Sequence, residues 1–310
     1  MRRLIPTLIV TFFLAACNLP ARATSTPPTP TDEPASTPLP TPTFDPARLG
    51  TSQLDVTYCT VDGVDLKMDV YFPSAMNGPA PAVVYVHGGG WRSGDKRSGV
   101  GTAEFSGLNT TGFVVFALNY RLAPDYRFPA MIEDVKCAVR SIRAHAAEYN
   151  IDPDRIGAFG GSAGGHLVAM LGTTDASAGF DVGQYLEYSS RVHAVVDMFG
   201  PTDLTLQFSD EQTQRASHVF TEDQLVMASP VTYITPDDPP FLILQGDKDR
   251  VVPPEQSQVL YDRLVGGGVE AQLVMVENAG HGFNPVDGEI SPKRAELALM
   301  ILSFFSQHLQ

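Results

Sequence analysis

Short apolar runs alternate along the chain with segments of helical spacing. Several runs are uninterrupted and only about four to eight residues long, which is typical of strands buried on both faces of a parallel sheet. Alternation of apolar and polar residues predicts a strand over Asp65–Tyr71. Apolar runs predict strands over Pro81–Val86, Gly112–Leu118, Ile156–Phe159, His193–Phe199, Phe241–Gln245 and Ala271–Val276. Helices are predicted over Met131–Ala147, directly after Ser162, over Glu255–Val265 and over Lys293–His308. This alternation predicts an α/β domain with a mostly parallel central sheet and helices on both faces.

Two connections between these elements are longer than the others. They are Asp175–Ser190 and the polar stretch Gln207–Ala228. Long connections in a compact domain are usually functional, and these lie where a small cap over a site can be inserted. The sequence therefore predicts a small cap insertion.

The first residues have the pattern of an export signal. Arg2 and Arg3 precede an apolar run, Leu4–Ala16, that is too short to span a bilayer. The run ends in Leu-Ala-Ala-Cys17, which resembles a bacterial lipobox and implies cleavage before Cys17 and lipid attachment to it. The alternative is an ordinary secretory signal with an incidental cysteine. The lipobox predicts an exported protein whose folded domain lies outside the cytoplasm and contacts the membrane only through this anchor.

A Thr/Pro-rich segment follows Cys17 and extends from Ala23 to about Pro46. It has no apolar periodicity with which to form a core, and its proline content favours an extended, semi-rigid spacer. The predicted organisation is a signal peptide over residues 1–16, a lipidated cysteine and linker over 17–49, and one folded domain over 50–310.

Composition limits the partners. The chain has 310 residues, 43% of them hydrophobic, and a formal net charge of −14. This charge argues against nucleic-acid binding, which needs a basic face. Three cysteines are too few for a disulfide scaffold or a zinc cluster. Export permits a disulfide between Cys59 and Cys137, and two buried free thiols are the alternative.

The pentapeptide Gly160-Gly161-Ser162-Ala163-Gly164 stands between a predicted strand and a predicted helix. It fits the G-x-S-x-G pattern, in which a serine is exposed on a sharp, strained strand-to-helix turn. Glycines at both ends let the helix pack close to the strand. The alternative is a glycine-rich turn without a role, so the serine needs suitable partners elsewhere in the chain.

A nucleophilic serine needs a base, usually a histidine that is oriented by a carboxylate. In the chain order Ser, acid, His, only His281 and His308 follow the later strands. His308 lies near the end of a surface helix, whereas His281 lies in a glycine-flanked loop directly after a strand. His281 is therefore the predicted base.

The acid is expected in a loop at the carboxyl edge of the sheet. Asp247 and Asp249 both follow the Phe241–Gln245 strand. We predict Asp249, because the apolar residues after it limit its access to water. Asp247 is expected to hydrogen-bond the backbone of its own turn, and Asp203 is a weaker rival.

A run of three glycines, His87-Gly88-Gly89-Gly90-Trp91, directly follows the Pro81–Val86 strand. Without side chains, its amides can approach a tetrahedral oxyanion. The amides of Gly88 and Gly89, with that of Ala163, are the predicted donors.

The motifs HGGGW, NYRLAPDYRFPAMIEDVKCAVRSIR and IDPDRIGAFGGSAGGHLVAML resemble the esterases related to hormone-sensitive lipase. LQGDKDRVVPPEQS and AGHGF resemble the bacterial feruloyl-esterase-like branch of the α/β-hydrolases. The resemblance implies an α/β-hydrolase fold. It also implies hydrolysis of carboxylic esters by Ser162, Asp249 and His281 without metal or cofactor, on small-molecule or polysaccharide-linked esters. A serine peptidase of the prolyl-oligopeptidase type and a non-catalytic binding module on the same scaffold are the alternatives.

Overall fold

A computed structural model describes residues 44–206 and 216–310. The predicted signal peptide, Cys17 and nearly all of the linker lie outside the described residues. The strands are β1 Ser52–Val61, β2 Val64–Tyr71, β3 Ala80–Val86, β4 Val114–Leu118, β5 Ile151–Gly161, β6 Ala194–Met198, β7 Phe241–Gly246 and β8 Ala271–Val276. The helices are α1 Phe105–Thr110, α2 Ala130–Ala144, α3 Ala146–Tyr149, α4 Ala163–Thr173, α5 Pro254–Gly266 and α6 Arg294–Leu309. Within these two ranges, no helix combines the length and the apolar character that a membrane span requires.

The strands form one eight-stranded sheet in the order β1-β2-β4-β3-β5-β6-β7-β8. Only the β1–β2 and β2–β4 pairs are antiparallel, and the other five pairs are parallel. The predicted mostly parallel sheet is therefore confirmed. Strand β1 was not predicted, because it pairs on one side only and its largely exposed residues lack a buried apolar run.

The strand order reverses at β3, which lies between β4 and β5. The loops that follow β3 and β5 therefore diverge, and a crevice lies between them at the carboxyl ends of the strands. Ligands usually bind at this position in an open α/β sheet. Val86 at the end of β3 pairs with Gly160 near the end of β5. This register brings the glycine loop after β3 beside Ser162.

Two apolar cores cover the two faces of the sheet. One packs α2, α4 and α5 against side chains such as Val84 and Phe116. The other packs α1 and α6 against Tyr85 and Phe159. The central strands β3, β4, β6 and β7 are buried along their whole length, as their uninterrupted apolar runs predicted.

No residue of the connection Asp175–Ser190 lines the pocket over Ser162, so the expectation of a cap there is wrong. It is held against α2 by two buried cations of that helix. The Lys136 ammonium lies 3.0 Å from both Asp181 Oδ2 and Ser190 Oγ, and Arg140 pairs with Asp181 Oδ1 at 2.5 Å. The neighbouring connection, Gln207–Ala228, is described only from residue 216 onward.

A disulfide joins Cys59 in β1 to Cys137 in α2. Of the two alternatives for these cysteines, the structure has the bonded form. The bond closes a long chain segment, with a sequence separation of 78 residues. It fastens the edge strand to a central helix.

Replacing both Cys59 and Cys137 by serine is expected to lower the free energy of unfolding by about 2–5 kcal/mol. Without the bond, the unfolded chain is no longer closed into a large loop and gains conformational entropy. Urea unfolding of the oxidised protein and of the double variant measures this difference. Dithiothreitol should lower the unfolding midpoint of the wild type to near that of the double variant. It should leave the midpoint of the variant unchanged. Equal transition midpoints without reductant would show that the bond contributes nothing.

Candidate active site

Ser162 stands between β5, which ends at Gly161, and α4, which begins at Ala163. Its backbone has φ 57° and ψ −122°, a strained conformation that side-chain-bearing residues rarely adopt. Gly160 and Gly164 make this turn sterically possible. A Cβ on Gly160 would lie 2.6 Å from the Val86 carbonyl oxygen, and one on Gly164 would overlap the same oxygen.

His281 lies on a short 3-10 turn after β8, His281–Phe283. Its Nε2 is 3.0 Å from Ser162 Oγ, and its Nδ1 is 2.7 Å from Asp249 Oδ2. The Asp249 carboxylate is fully buried, whereas the His281 side chain is 26% exposed. The structure thus places the predicted serine, histidine and aspartate in one hydrogen-bonded line, although they lie far apart in the sequence.

The orientation of the Asp249 carboxylate is fixed by its own loop. Oδ1 accepts hydrogen bonds from the amides of Val251 at 2.8 Å and Val252 at 3.0 Å. Only Oδ2 faces the imidazole. Both oxygens are therefore used, one to hold the side chain and one to orient His281.

The rival residues lie elsewhere. Asp247 does not bond its own turn as expected: it accepts from the Ala279 amide at 3.3 Å and pairs with Lys248, which steadies the loop that leads to His281. Asp203 accepts from the amide and hydroxyl of Thr205, as a local turn residue does. His308, near the end of α6, is 3.7 Å from a carboxylate oxygen of Glu270.

The glycine loop after β3 lies against the Ser162 turn. A Cβ on Gly88 would be 2.7 Å from the Gly161 carbonyl oxygen, so a side chain there would separate the two loops. Gly89 has φ 116°, which only glycine adopts readily. Within the described ranges, the amides of Gly88, Gly89 and Ala163 donate no loop or side-chain hydrogen bond. Gly88 and Gly89 also line the pocket that opens over Ser162.

A pocket of about 810 Å³ opens over Ser162. Its walls are largely apolar or glycine, with Trp91, Phe199 and Leu204 among them. Ala216, the first described residue after the gap at residues 207–215, also lines it. The polar connection Gln207–Ala228 therefore contributes to the wall, as its position in the sequence indicated.

Sequence reasoning missed two aromatic residues that support the site. Phe199, directly after β6, contacts the His281 imidazole edge to face, with ring centroids 4.9 Å apart. The Tyr120 ring stacks on His87 at 4.4 Å, and its hydroxyl donates to the His87 carbonyl oxygen at 3.0 Å. The sequence carried no signal for Phe199, because its position depends on the pairing of β5 with β6, and the alternation of strands and helices does not show which strands pair.

Two buried titratable groups lie beside these loops. Burial lowers the pKa of His87 and raises the pKa of Asp197 to about 7. Asp197 Oδ1 accepts the Gly200 amide at 2.9 Å, while Oδ2 has no hydrogen-bond partner in residues 44–206 and 216–310. Those residues contain no group of three or more His, Cys, Asp or Glu side chains suited to a metal ion.

Comparison with known proteins places the chain in a family. The BD-FAE family model matches residues 68–264. A probable carboxylic ester hydrolase of Mycobacterium tuberculosis, LipM, is 35% identical over 199 residues, which are 61% of this chain and 46% of LipM. The esterase LipC of the same organism is 33% identical over 239 residues, 72% of this chain and 58% of LipC. The chain spans about half the length of the curated relatives it matches.

Two solved structures share the fold over most of the chain. A carbohydrate esterase from gut microbiota, solved in truncated form, has a TM-score of 0.72 and 28% identity and covers 86% of this chain and 99% of its own. Esterase 2 of Thermogutta terrifontis, with bound propionate, has a TM-score of 0.67 and 27% identity, with coverage of 84% and 93%. The chain belongs to the BD-FAE family and has the α/β-hydrolase fold of these esterases.

Proposed function

We propose that the protein is a serine carboxylesterase. The observation that carries this proposal is the line of hydrogen bonds from Asp249 through His281 to Ser162. Ser162 Oγ lies close enough to His281 Nε2 for proton transfer, and Asp249 is hydrogen-bonded to the other ring nitrogen. The esterase names of the relatives and of the solved neighbours support the same activity.

In the proposed reaction, His281 Nε2 takes the proton of Ser162 Oγ while that oxygen attacks the ester carbonyl. Asp249 accepts the Nδ1–H hydrogen bond, which fixes the tautomer and stabilises the imidazolium that forms. The amides of Gly88, Gly89 and Ala163 donate to the oxyanion of the tetrahedral intermediate. His281 then protonates the leaving alcohol, and water, activated by the same imidazole, hydrolyses the acyl-enzyme.

The substrate is proposed to be a small-molecule or polysaccharide-linked ester. The pocket has room for an acyl group beside Ser162, and its largely apolar wall suits the hydrocarbon part of such a group. The carbohydrate esterase among the solved neighbours supports a sugar-linked ester.

A fluorophosphonate probe followed by peptide mass spectrometry tests the assignment. We expect the label on Ser162, and turnover of p-nitrophenyl esters that falls in proportion to labelling. A panel of graded acyl lengths, with feruloyl and acetyl-xylan members, then defines the substrate. Hydrolysis of peptide anilides without ester turnover would favour the peptidase alternative, and an unlabelled Ser162 would favour a binding module.

We also propose that the protein is exported and held at the cell membrane by lipid on Cys17. The sequence support is the short apolar run and the Leu-Ala-Ala-Cys pattern before the Thr/Pro-rich linker. Replacing Cys17 by serine is expected to move the protein from the membrane fraction to the soluble exported fraction without loss of specific activity. Replacing Ser25 by alanine, in the linker that follows Cys17, is the matched control and should leave the membrane fraction unchanged. Wild-type protein that is already soluble would contradict the anchor.

A further inference from the structure

The glycine loop has an unusual backbone at its distal end. Gly89, Gly90 and Trp91 have φ values of 116°, 60° and 57° in succession. Glycine tolerates such values, but a large aromatic residue in the left-handed region is strained and persists only where its surroundings hold it. The contacts of Trp91 therefore fix the conformation of the loop that carries the Gly88 and Gly89 amides.

Three residues hold Trp91, which is only 8% exposed. Its indole Nε1–H donates to His166 Nδ1 at 3.1 Å. Its carbonyl oxygen accepts from the Ala123 amide at 2.9 Å. Its ring packs edge to face on His166 and on Phe220, with centroid distances of 5.2 and 4.9 Å. Of these partners, His166 belongs to the helix that starts beside the nucleophile.

His166 is completely buried in the first turns of α4, and its amide donates to the Ser162 carbonyl oxygen at 3.0 Å. The partners of its ring determine its tautomer. The indole of Trp91 can only donate, so Nδ1 is an acceptor; the Ala228 carbonyl oxygen, 2.7 Å from Nε2, can only accept, so Nε2 carries the proton. The ring is therefore neutral. Burial, which lowers the pKa of His166 to about 4, is consistent with this state.

We propose that His166 is a positioning residue of the reaction, which fixes the distance between the Gly88 and Gly89 amides and Ser162 by joining Trp91 to the helix that carries the nucleophile. The inference rests on the proposed function. His166 is not among the residues that line the pocket, so it acts through Trp91 and not on the substrate. Its second bond, to Ala228, ties the end of the Gln207–Ala228 connection to the same ring. One imidazole thus holds three segments around the site.

The test is a double-mutant cycle with His166→Leu, which removes both ring bonds, and Trp91→Phe, which keeps an aromatic ring but removes the donor. Each change is expected to lower kcat for p-nitrophenyl butyrate about 10- to 100-fold, because small misplacements of donors act on the transition state. For His166→Leu, which is outside the pocket lining, KM should change less than about twofold. The double variant should be no slower than the slower single variant, since both changes break one link. His166→Gln, which keeps a donor and an acceptor, should recover most of the lost kcat.

Leu171→Ala is the matched control. Leu171 is fully buried in the core on the same helix and does not line the pocket, so truncation leaves a cavity that destabilises α4. We expect its melting temperature to fall while kcat, measured well below that temperature, stays unchanged. The inference would be overturned by a normal kcat in His166→Leu, or by a double variant whose loss of kcat is the product of the two single losses. Either result would count against it even when Ser162 is labelled normally. An unlabelled Ser162 in the wild type would instead indicate failure of the proposed function.

Discussion

Replacing Ser162 by alanine is expected to lower kcat for p-nitrophenyl butyrate by about 10⁶-fold. The change removes the only atom that can form the acyl-enzyme, and water in its place would lack the alignment that the 3.0 Å contact with His281 Nε2 gives to Oγ. Initial rates under saturating ester, at protein concentrations high enough to detect the residual turnover, measure the loss. Fluorophosphonate labelling should disappear with it.

The Ser162→Ala variant should be as stable as the wild type, because alanine is as strained as serine at φ 57° and the buried packing around the turn is unchanged. Ser177→Ala, in an exposed turn away from the pocket, is the control for handling and concentration. Wild-type turnover in Ser162→Ala would remove the nucleophile assignment and with it the proposed function.

Replacing Asp249 by asparagine is expected to lower kcat by about 10⁴-fold. The amides of Val251 and Val252 already bond one carboxylate oxygen, so the asparagine carbonyl oxygen will take that position. Its NH₂ group then faces His281 Nδ1 and donates to it. This favours the tautomer with the proton on Nε2, which cannot accept the proton of Ser162.

The neighbouring aspartates provide matched controls for this change. Asp247→Asn and Asp203→Asn keep an acceptor for the Ala279 amide and for the Thr205 turn, respectively. We expect kcat within about threefold of the wild type for both, as for surface changes outside the reacting groups. If Asp247→Asn were instead the slow variant and Asp249→Asn were normal, the acid would have to be reassigned.

The sequence predicted the site better than it predicted the connections around it. Chain order left His281 and His308, and the glycine-flanked loop after a strand favoured His281. The structure places its imidazole against Ser162. The choice of Asp249 over Asp247 was based on the apolar residues that follow it. The structure gives a more specific reason, since the amides of Val251 and Val252 fix the carboxylate. Hydrogen bonds from backbone amides leave no trace in side-chain patterns.

The connection Asp175–Ser190 shows where pattern reasoning fails. Its length is typical of a cap, but its place is set by Lys136 and Arg140, two charged residues that are buried in α2. The helix was predicted from the apolar positions of α2. Those positions do not show that Lys136 and Arg140 are buried. Asp181 supplies the charge that makes this burial possible. The disulfide was undetermined for a similar reason, because sequence does not give the distance between β1 and α2.

The order of strands in the sheet has a consequence for folding. Ser162 follows β5, whereas Asp249 and His281 follow β7 and β8, the two strands at one edge of the sheet. A nascent or truncated chain that ends before residue 281 contains the nucleophile and the glycine loop but no base. Recovery of ester hydrolysis after denaturation therefore requires the last strand to be in place. The enzyme that we propose therefore has no ester hydrolase activity until β7 and β8 are in place at the edge of the sheet.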